Sequence, residues 1–425
     1  MSHLFKNGIC LLCCYAFVAV SFTQTITLPQ CYLLAKQNYP LAKRQDLILK
    51  SKYYVLDNNA KGFLPQVTIN GQATYQSDVT QVPIKIPGMD IPVISKDQYK
   101  IYGEATQLLY DGGRINQQKE IAKANAQIDE QVLATDLYQL NDRINQLYFG
   151  ILLLDEQLKQ VDLFKKDIQL GIDKVAAALA NGTALKRDVN VLKAALLSQQ
   201  QRTIEFKANR KAFIDMLALF INQPLSETTS LLVPVIPSIQ PAIKRPELLL
   251  FDYQQQRINA QNQLLKVGNK PKINLFIQGG FGRPALNMLK NDLKLYGIGG
   301  VRFNWSLSGF YTFKNDKAQI DIDRQNIEVQ RATFLFNTNY ALKQQHSTIT
   351  KLQELLLTDD EIISLRNSIK ETAVAQLQNG IINSNDFLRE ANAEDLARQN
   401  KILHQTQLLL AQYTQLTTSG NLLSN

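Results

Sequence analysis

Proline placement constrains this chain most. Its 13 prolines fall in three zones, Pro29 to Pro92, Pro224 to Pro246 and Pro271 to Pro284. Between Pro92 and Pro224, and again after Pro284, more than a hundred residues pass without the one that removes a helix hydrogen bond and clashes with the preceding turn. Both stretches are predicted to be largely helical. From Leu133, apolar residues step by four and three through Leu137, Leu140, Ile144, Leu147, Ile151, Leu154, Leu158 and Val161. After Lys165 they resume at Ile168, Ile172, Val175 and Leu179. A seam with a period of about 3.5 residues, held for about six heptads, is a coiled-coil pattern. The second stretch carries a weaker seam, Leu342, Ile349, Leu352, Leu356 and Ile363, whose register is predicted to slip toward Ile362, Leu365 and Ile369.

Each stretch holds one turn signal. Asn181-Gly182 and Asn379-Gly380 suit a left-handed helix end, and six residues on come Asp188 and Asp386, where a new helix N-terminus favours negative charge. Each stretch therefore reads as a helical hairpin, with a first arm of roughly 65 residues, about 100 Å long, and a return arm about half that. The tips share an offset of 198, at which Glu104 also meets Arg302, Thr106 meets Asn304 and Leu109 meets Leu307. This predicts a tandem repeat: residues 25–223, a proline-rich linker at 224–246, and residues 247–425, with tips near 181–187 and 379–385.

Between its helices each copy has two strand candidates, about 64–76 and 98–110, then 271–283 and 295–307. Val67, Ile69, Ala73 and Tyr75 alternate with Thr68, Asn70, Gln72 and Thr74, and the other three segments alternate likewise. Parity puts Lys100, Glu104, Thr106, Arg302 and Asn304 on the polar face, which is either the lumen of a membrane barrel or the solvated side of a soluble sheet. Four strands cannot close a barrel, and an open edge cannot sit in lipid. If the strands are in a membrane, two copies of the chain would pool eight of them, or three would pool twelve and leave room for a channel.

Beyond the N-terminus no apolar run approaches the roughly 20 residues of a membrane-spanning helix. Residues 1–24, with Lys6 before the apolar stretch Ile9 to Phe22 and small residues at Ala19 and Ser21, read as a signal peptide, the alternative being a membrane anchor. Cleavage would take Cys10, Cys13 and Cys14 and leave Cys31, so no internal disulfide is expected. Net charge is +9, from 46 basic and 37 acidic residues, and is scattered in pairs such as Lys165-Lys166, which argues against nucleic-acid binding. His346 and His404 stand alone on helices, and neither a Gly-x-Ser-x-Gly elbow nor a Gly-Lys-Ser/Thr phosphate loop occurs. No enzyme activity, metal or cofactor is expected.

Several local marks then line up in order. They are Leu64-Pro65 before the first strand, Leu109-Tyr110-Asp111-Gly112-Gly113-Arg114 after the second, Arg245-Pro246-Glu247-Leu248 opening the second copy, and the two Gly-x5-Asp tips. In this order and spacing the chain, over about residues 26–418, resembles the TolC-type outer-membrane efflux family. The second copy departs at Trp305-Ser306-Leu307-Ser308-Gly309, which lacks the Asp-Gly-Gly turn. The resemblance implies a mainly α fold with β, in which a homotrimer forms a twelve-stranded β-barrel in outer-membrane lipid and an α-helical tunnel in the periplasm. It also implies that Gly182, Asp188, Gly380 and Asp386 lie at a periplasmic entrance facing an adaptor (membrane-fusion) protein, with an inner-membrane transporter behind it. The implied function is the passive exit duct of a tripartite efflux system. The alternatives are a protein-secretion channel, or a secreted coiled-coil scaffold or adhesin.

Overall fold

A computed structural model describes residues 25–422 other than 82, 84–86, 89–92 and 237–240. The signal-peptide reading of residues 1–24 and prolines Pro92 and Pro237 lie outside the described residues. Twelve main elements follow in order: α1 (Leu28–Asn38), α2 (Arg44–Lys61), β1 (Gln66–Tyr75), β2 (Asp97–Tyr110), α3 (Arg114–Tyr138), α4 (Leu140–Ala180), α5 (Lys186–Ile221), α6 (Pro246–Gly268), β3 (Lys272–Arg283), β4 (Lys294–Asn304), α7 (Gly309–Gln378) and α8 (Ser384–Ser419). The first long arm is interrupted at Gln139, which keeps right-handed angles of φ −64 and ψ −18. The second, α7, runs unbroken for 70 residues.

Most of the first arm's seam is buried where the period demands, with Leu137, Leu147 and Leu158 half-buried and Leu179, beside the turn, exposed. Leu133, Leu140, Ile144, Ile151, Leu154, Val161, Ile168, Ile172 and Val175 are all core residues. Lys165 lies half-buried at the seam's edge and reaches Asp162 at 2.6 Å, so its stem covers apolar surface while its charge is paired.

In α7 the expected slip does not occur. Ile362, Leu365 and Ile369 are exposed, whereas Ile349, Leu352, Asp359, Ala373 and Leu377 are buried and Lys370 is half-buried. The seam keeps its register but carries charged residues at three of its positions, Asp359, Arg366 and Lys370, which a count of apolar residues reads as a shift.

The chain forms two compact units, each drawing on both halves of the sequence. One comprises the described residues up to Ala35 with Ile144–Ile236 and Leu352–Leu410. The other comprises Lys36–Arg143, Pro237–Lys351 and the described residues from Ala411. In the first, parts of α4, α5, α7 and α8 share an apolar cluster built on Phe164, Ile168, Ile172, Leu192, Leu377 and Phe387. In the second, α2 and α6 pack along α3, where the buried alanines Ala122, Ala124 and Ala126 permit close approach.

The second unit also holds the sheet, an antiparallel meander in the order β1-β2-β3-β4. β1 starts at Gln66 because Pro65 has no N–H to give the ladder. β4 ends at Asn304, short of Leu307, where the chain turns into α7.

Candidate functional site

The four strands are in register, so that even-numbered residues of all four share one face and odd-numbered residues the other. Thr68 pairs with Glu104, Glu104 with Gln278, and Gln278 with Ile298. The odd face is apolar and open to the outside: Ile69 is 82% exposed, Leu295 71% and Val301 65%, with Val67, Ile101, Ile277 and Phe303 also exposed. Folding normally buries such a surface. At the loop end of this face stand Tyr75, Tyr99 and Phe281. At the helix end stand Phe303 and Tyr110, the latter brought opposite Ile273 by an irregularity after Leu108.

The even face is polar and internally bonded. Arg302 reaches across β3 to donate to Glu104 at 2.9 and 3.4 Å, and its guanidinium lies 4.5 Å from the ring centroid of Phe276 beneath it. Thr106 donates to Glu104 at 3.2 Å, and Gln278 donates to the Tyr296 hydroxyl at 3.1 Å. Lys100, Glu104, Thr106, Arg302 and Asn304 therefore share this face by register. Glu104 and Arg302, matched as repeat equivalents by their offset of 198, are also direct partners.

The family-like marks at the strand-to-helix corners have local physical causes. Asp111 accepts from the backbone N–H of Gly113 at 2.8 Å and of Ile115 at 2.7 Å, capping α3, while Gly112 and Gly113 take positive φ of 74 and 92. In the second half the corner is made differently, with Trp305 donating its indole N–H to the Asn269 carbonyl at 2.9 Å. Arg245 grips Glu247 through two nitrogens, donates to the Thr417 carbonyl at 3.1 Å and lies 4.9 Å from the Tyr138 ring centroid. The Arg245-Pro246-Glu247 mark thus ties the start of α6 to α3 and to the end of α8.

At the tips, Gly182 (φ 75) and Gly380 (φ 69) end their helices alike. Gly182 N–H donates to Leu179 and Thr183 N–H to Ala178; Gly380 donates to Leu377 and Ile381 to Gln376. This is the paired bonding of a Schellman end, which needs a left-handed residue.

The two aspartates are not equivalent. Asp188 accepts from the N–H of Leu185 at 3.3 Å and helps cap α5. On α8 the cap is Asn383, which accepts from Asn385 at 2.9 Å and Asp386 at 3.1 Å, leaving the side chain of Asp386 to face Arg389 at 3.6 Å. Leu185 and Ile381 stand at the tips as exposed apolar side chains. Sequence reasoning missed them; the signal was an aliphatic pair in each turn, Ala184-Leu185 and Ile381-Ile382.

Behind the tips lies an ionic band that apolar periodicity could not reveal. Lys370 of α7 donates to Asp167 at 2.9 Å and to Glu394 at 3.4 Å, and Glu394, almost wholly buried, also receives Arg398. Buried Asp395 accepts from Gln160 at 2.9 Å and from Gln399, with Arg202 at 3.7 Å. Burial pushes its carboxyl above the ordinary carboxylate range against the pull of these donors. His404, alone in the sequence, meets Asp359 at 2.7 Å.

Among the described residues no three His, Cys, Asp or Glu side chains converge as metal ligands would. No described helix is long and apolar enough to cross a membrane.

Residues 37–219 match the family model described as outer membrane efflux protein. No curated protein matches the chain. Solved structures share its fold. The outer membrane protein VceC from Vibrio cholerae aligns with a TM-score of 0.65 at 13% identity, over 92% of this chain and 96% of that one. CusC, described as forming a transmembrane channel, aligns with a TM-score of 0.67 at 12% identity over 92% and 91%. The Neisseria gonorrhoeae MtrE outer membrane channel in its open state aligns with a TM-score of 0.63 at 14% identity over 92% and 88%. Residues 37–219 are thus similar to the outer membrane efflux protein family, and over 92% of its length the chain shares the fold of solved outer-membrane channel proteins.

Proposed function

We propose that this protein is the outer-membrane exit duct of an efflux system, conducting small molecules passively from periplasm to exterior. The observation that carries the reading is the two-faced sheet. Its apolar, aromatic-flanked side is exposed as a lipid-facing wall would be, and its bonded polar side suits a water-filled lumen. β1 and β4 each have one neighbour in the sheet, and an open edge is not tolerated in lipid. Three copies pairing β1 of one with β4 of the next close twelve strands around a channel, and Lys100, Glu104, Thr106, Arg302 and Asn304 then line it. The order helix, two strands, long helical arm, return helix recurs at α2 to α5 and α6 to α8, which supports reading 25–223 and 247–425 as copies.

The sequence has no Gly-Lys-Ser/Thr phosphate loop, and in this reading the duct depends on an inner-membrane transporter through a periplasmic adaptor. The tips around Gly182, Asp188, Gly380 and Asp386 are the docking end. The glycines supply the turns there, and Leu185 and Ile381 supply exposed apolar contact. Two measurements test this. Outer-membrane fractions should yield a heat-sensitive trimer that conducts in planar bilayers; a soluble, non-conducting product would overturn the duct. Leu185→Asp with Ile381→Asp, which spares the glycine turns, should leave trimers intact and abolish drug efflux. Unchanged resistance would overturn docking at the tips.

A further inference from the structure

We infer that the lumen lined by this sheet favours anionic solutes, and that Lys100, Lys272 and Lys294 set the preference; this rests on the duct reading above. The charges of the four strands are sorted by face. Lys100 and Glu104 on β2, Lys272 on β3, and Lys294 and Arg302 on β4 all occupy even positions, and β1 has no charged residue. The register places all five on the polar face. The odd face carries only Asp97 and Arg283, which pair with each other. Four cations against one carboxylate leave the polar face at +3 per chain, while the described loop residues beyond the strands balance: Asp78 against Lys96, and Lys290 against Asp292.

The pairing within the face decides which charges act. Arg302 is held by Glu104, so the two cancel locally. Lys294 meets Asp292 at 3.5 Å, but both side chains are well exposed and such a pair is weak. Among the described residues no carboxylate ion-pairs with Lys100 or Lys272. A channel wall of one sign between low-dielectric boundaries focuses its field and enriches counter-ions, in strong cases tenfold or more. Exposed charges are screened beyond about 10 Å at 0.1 M salt, so the effect grows as ionic strength falls. The solutes favoured are those carrying carboxylate, sulfate or phosphate groups.

The experiment is the permeability ratio of chloride to potassium, read from reversal potentials of purified trimers in planar bilayers under a KCl gradient. The ratio should exceed one and rise at low salt. Lys100→Gln/Lys272→Gln/Lys294→Gln should lower it several-fold, and Lys100→Gln alone should lower it by less. Glu104→Gln should raise it, because it frees Arg302. A heat-sensitive trimer band certifies each variant as folded. Conducting channels with a ratio of one or below, or a ratio that the triple variant leaves unmoved, overturn the anion preference and leave the duct standing. Intact trimers that never conduct overturn both.

Discussion

The apolar cluster behind the tips should be what holds the hairpin ends together, and Phe387→Ala tests that. Phe387 is 1% exposed and is one of the largest fully buried side chains. Its ring lies against Gly171, where an added Cβ would come within 2.9 Å of Cε1. Gly171 has no side chain to move into the space, which limits how far the cavity can collapse. The loss should then sit in the upper part of the usual range for such truncations, about 3–5 kcal/mol. At about 1.4 kcal/mol per factor of ten, local opening of the hairpin ends rises by about two to three and a half orders of magnitude.

The assay is amide hydrogen exchange of the trimer in detergent. Peptides from the ends of α4 and α7 and the start of α8 should lose protection by that factor, while strand peptides keep theirs. Leu185→Ala, at an exposed position, should change protection by no more than about 0.5 kcal/mol. Full protection of the tip peptides in Phe387→Ala would refute the reasoning.

Other perturbations follow from the same geometry. Lys370→Met leaves Glu394 buried with Arg398 alone, so the loss should fall toward the lower end of the roughly 3–5 kcal/mol for a broken buried pair; thermal melting of the trimer reads it. At the second tip, Asn383→Ala should cost about 1 kcal/mol by removing the cap, whereas Asp386→Ala should stay within about 0.5 kcal/mol; equal losses would contradict the assignment of the cap. Asp395 titrates above its ordinary value of 3.8 because it is buried, so the folded protein retains a proton that the unfolded chain has released. Its contribution to stability therefore falls as pH rises from about 3.8 through the folded value and stays low above it. Asp395→Asn should flatten that part of the melting-temperature profile, and an unchanged slope would count against it.

Much of this architecture was legible because two periodicities and two glycines encode it. The seam from Leu133 to Val175 lies where its period puts it, and Gly182 and Gly380 adopt the left-handed turns that their dipeptides announce. Much of what escaped has one physical cause: ionic groups whose partners lie far along the chain. Asp359 and Lys370 occupy seam positions of α7, and their companions His404, Asp167 and Glu394 come from other helices. A count of apolar residues therefore saw a fading register. The offset that matched Glu104 with Arg302 likewise measured equivalence between the halves, and it could not show that β2 and β4 bring the two into contact across β3. The aspartates six residues beyond each glycine looked interchangeable until Asn383 proved to be the cap on α8.

A duct of this kind requires odd strand residues to face lipid and even ones to face water. The direct measurement is a single-cysteine scan of β1 from Val67 to Thr74, each position labelled in trimers reconstituted in bilayers. Native Cys31 is buried, and burial pushes its thiol up to about 12, so it stays silent to thiol reagents. Probes at 67, 69, 71 and 73 should be quenched by brominated lipid and shielded from aqueous iodide, and those at 68, 70, 72 and 74 should behave in the opposite way. Uniform access to water along the strand would contradict the barrel wall, and with it the duct.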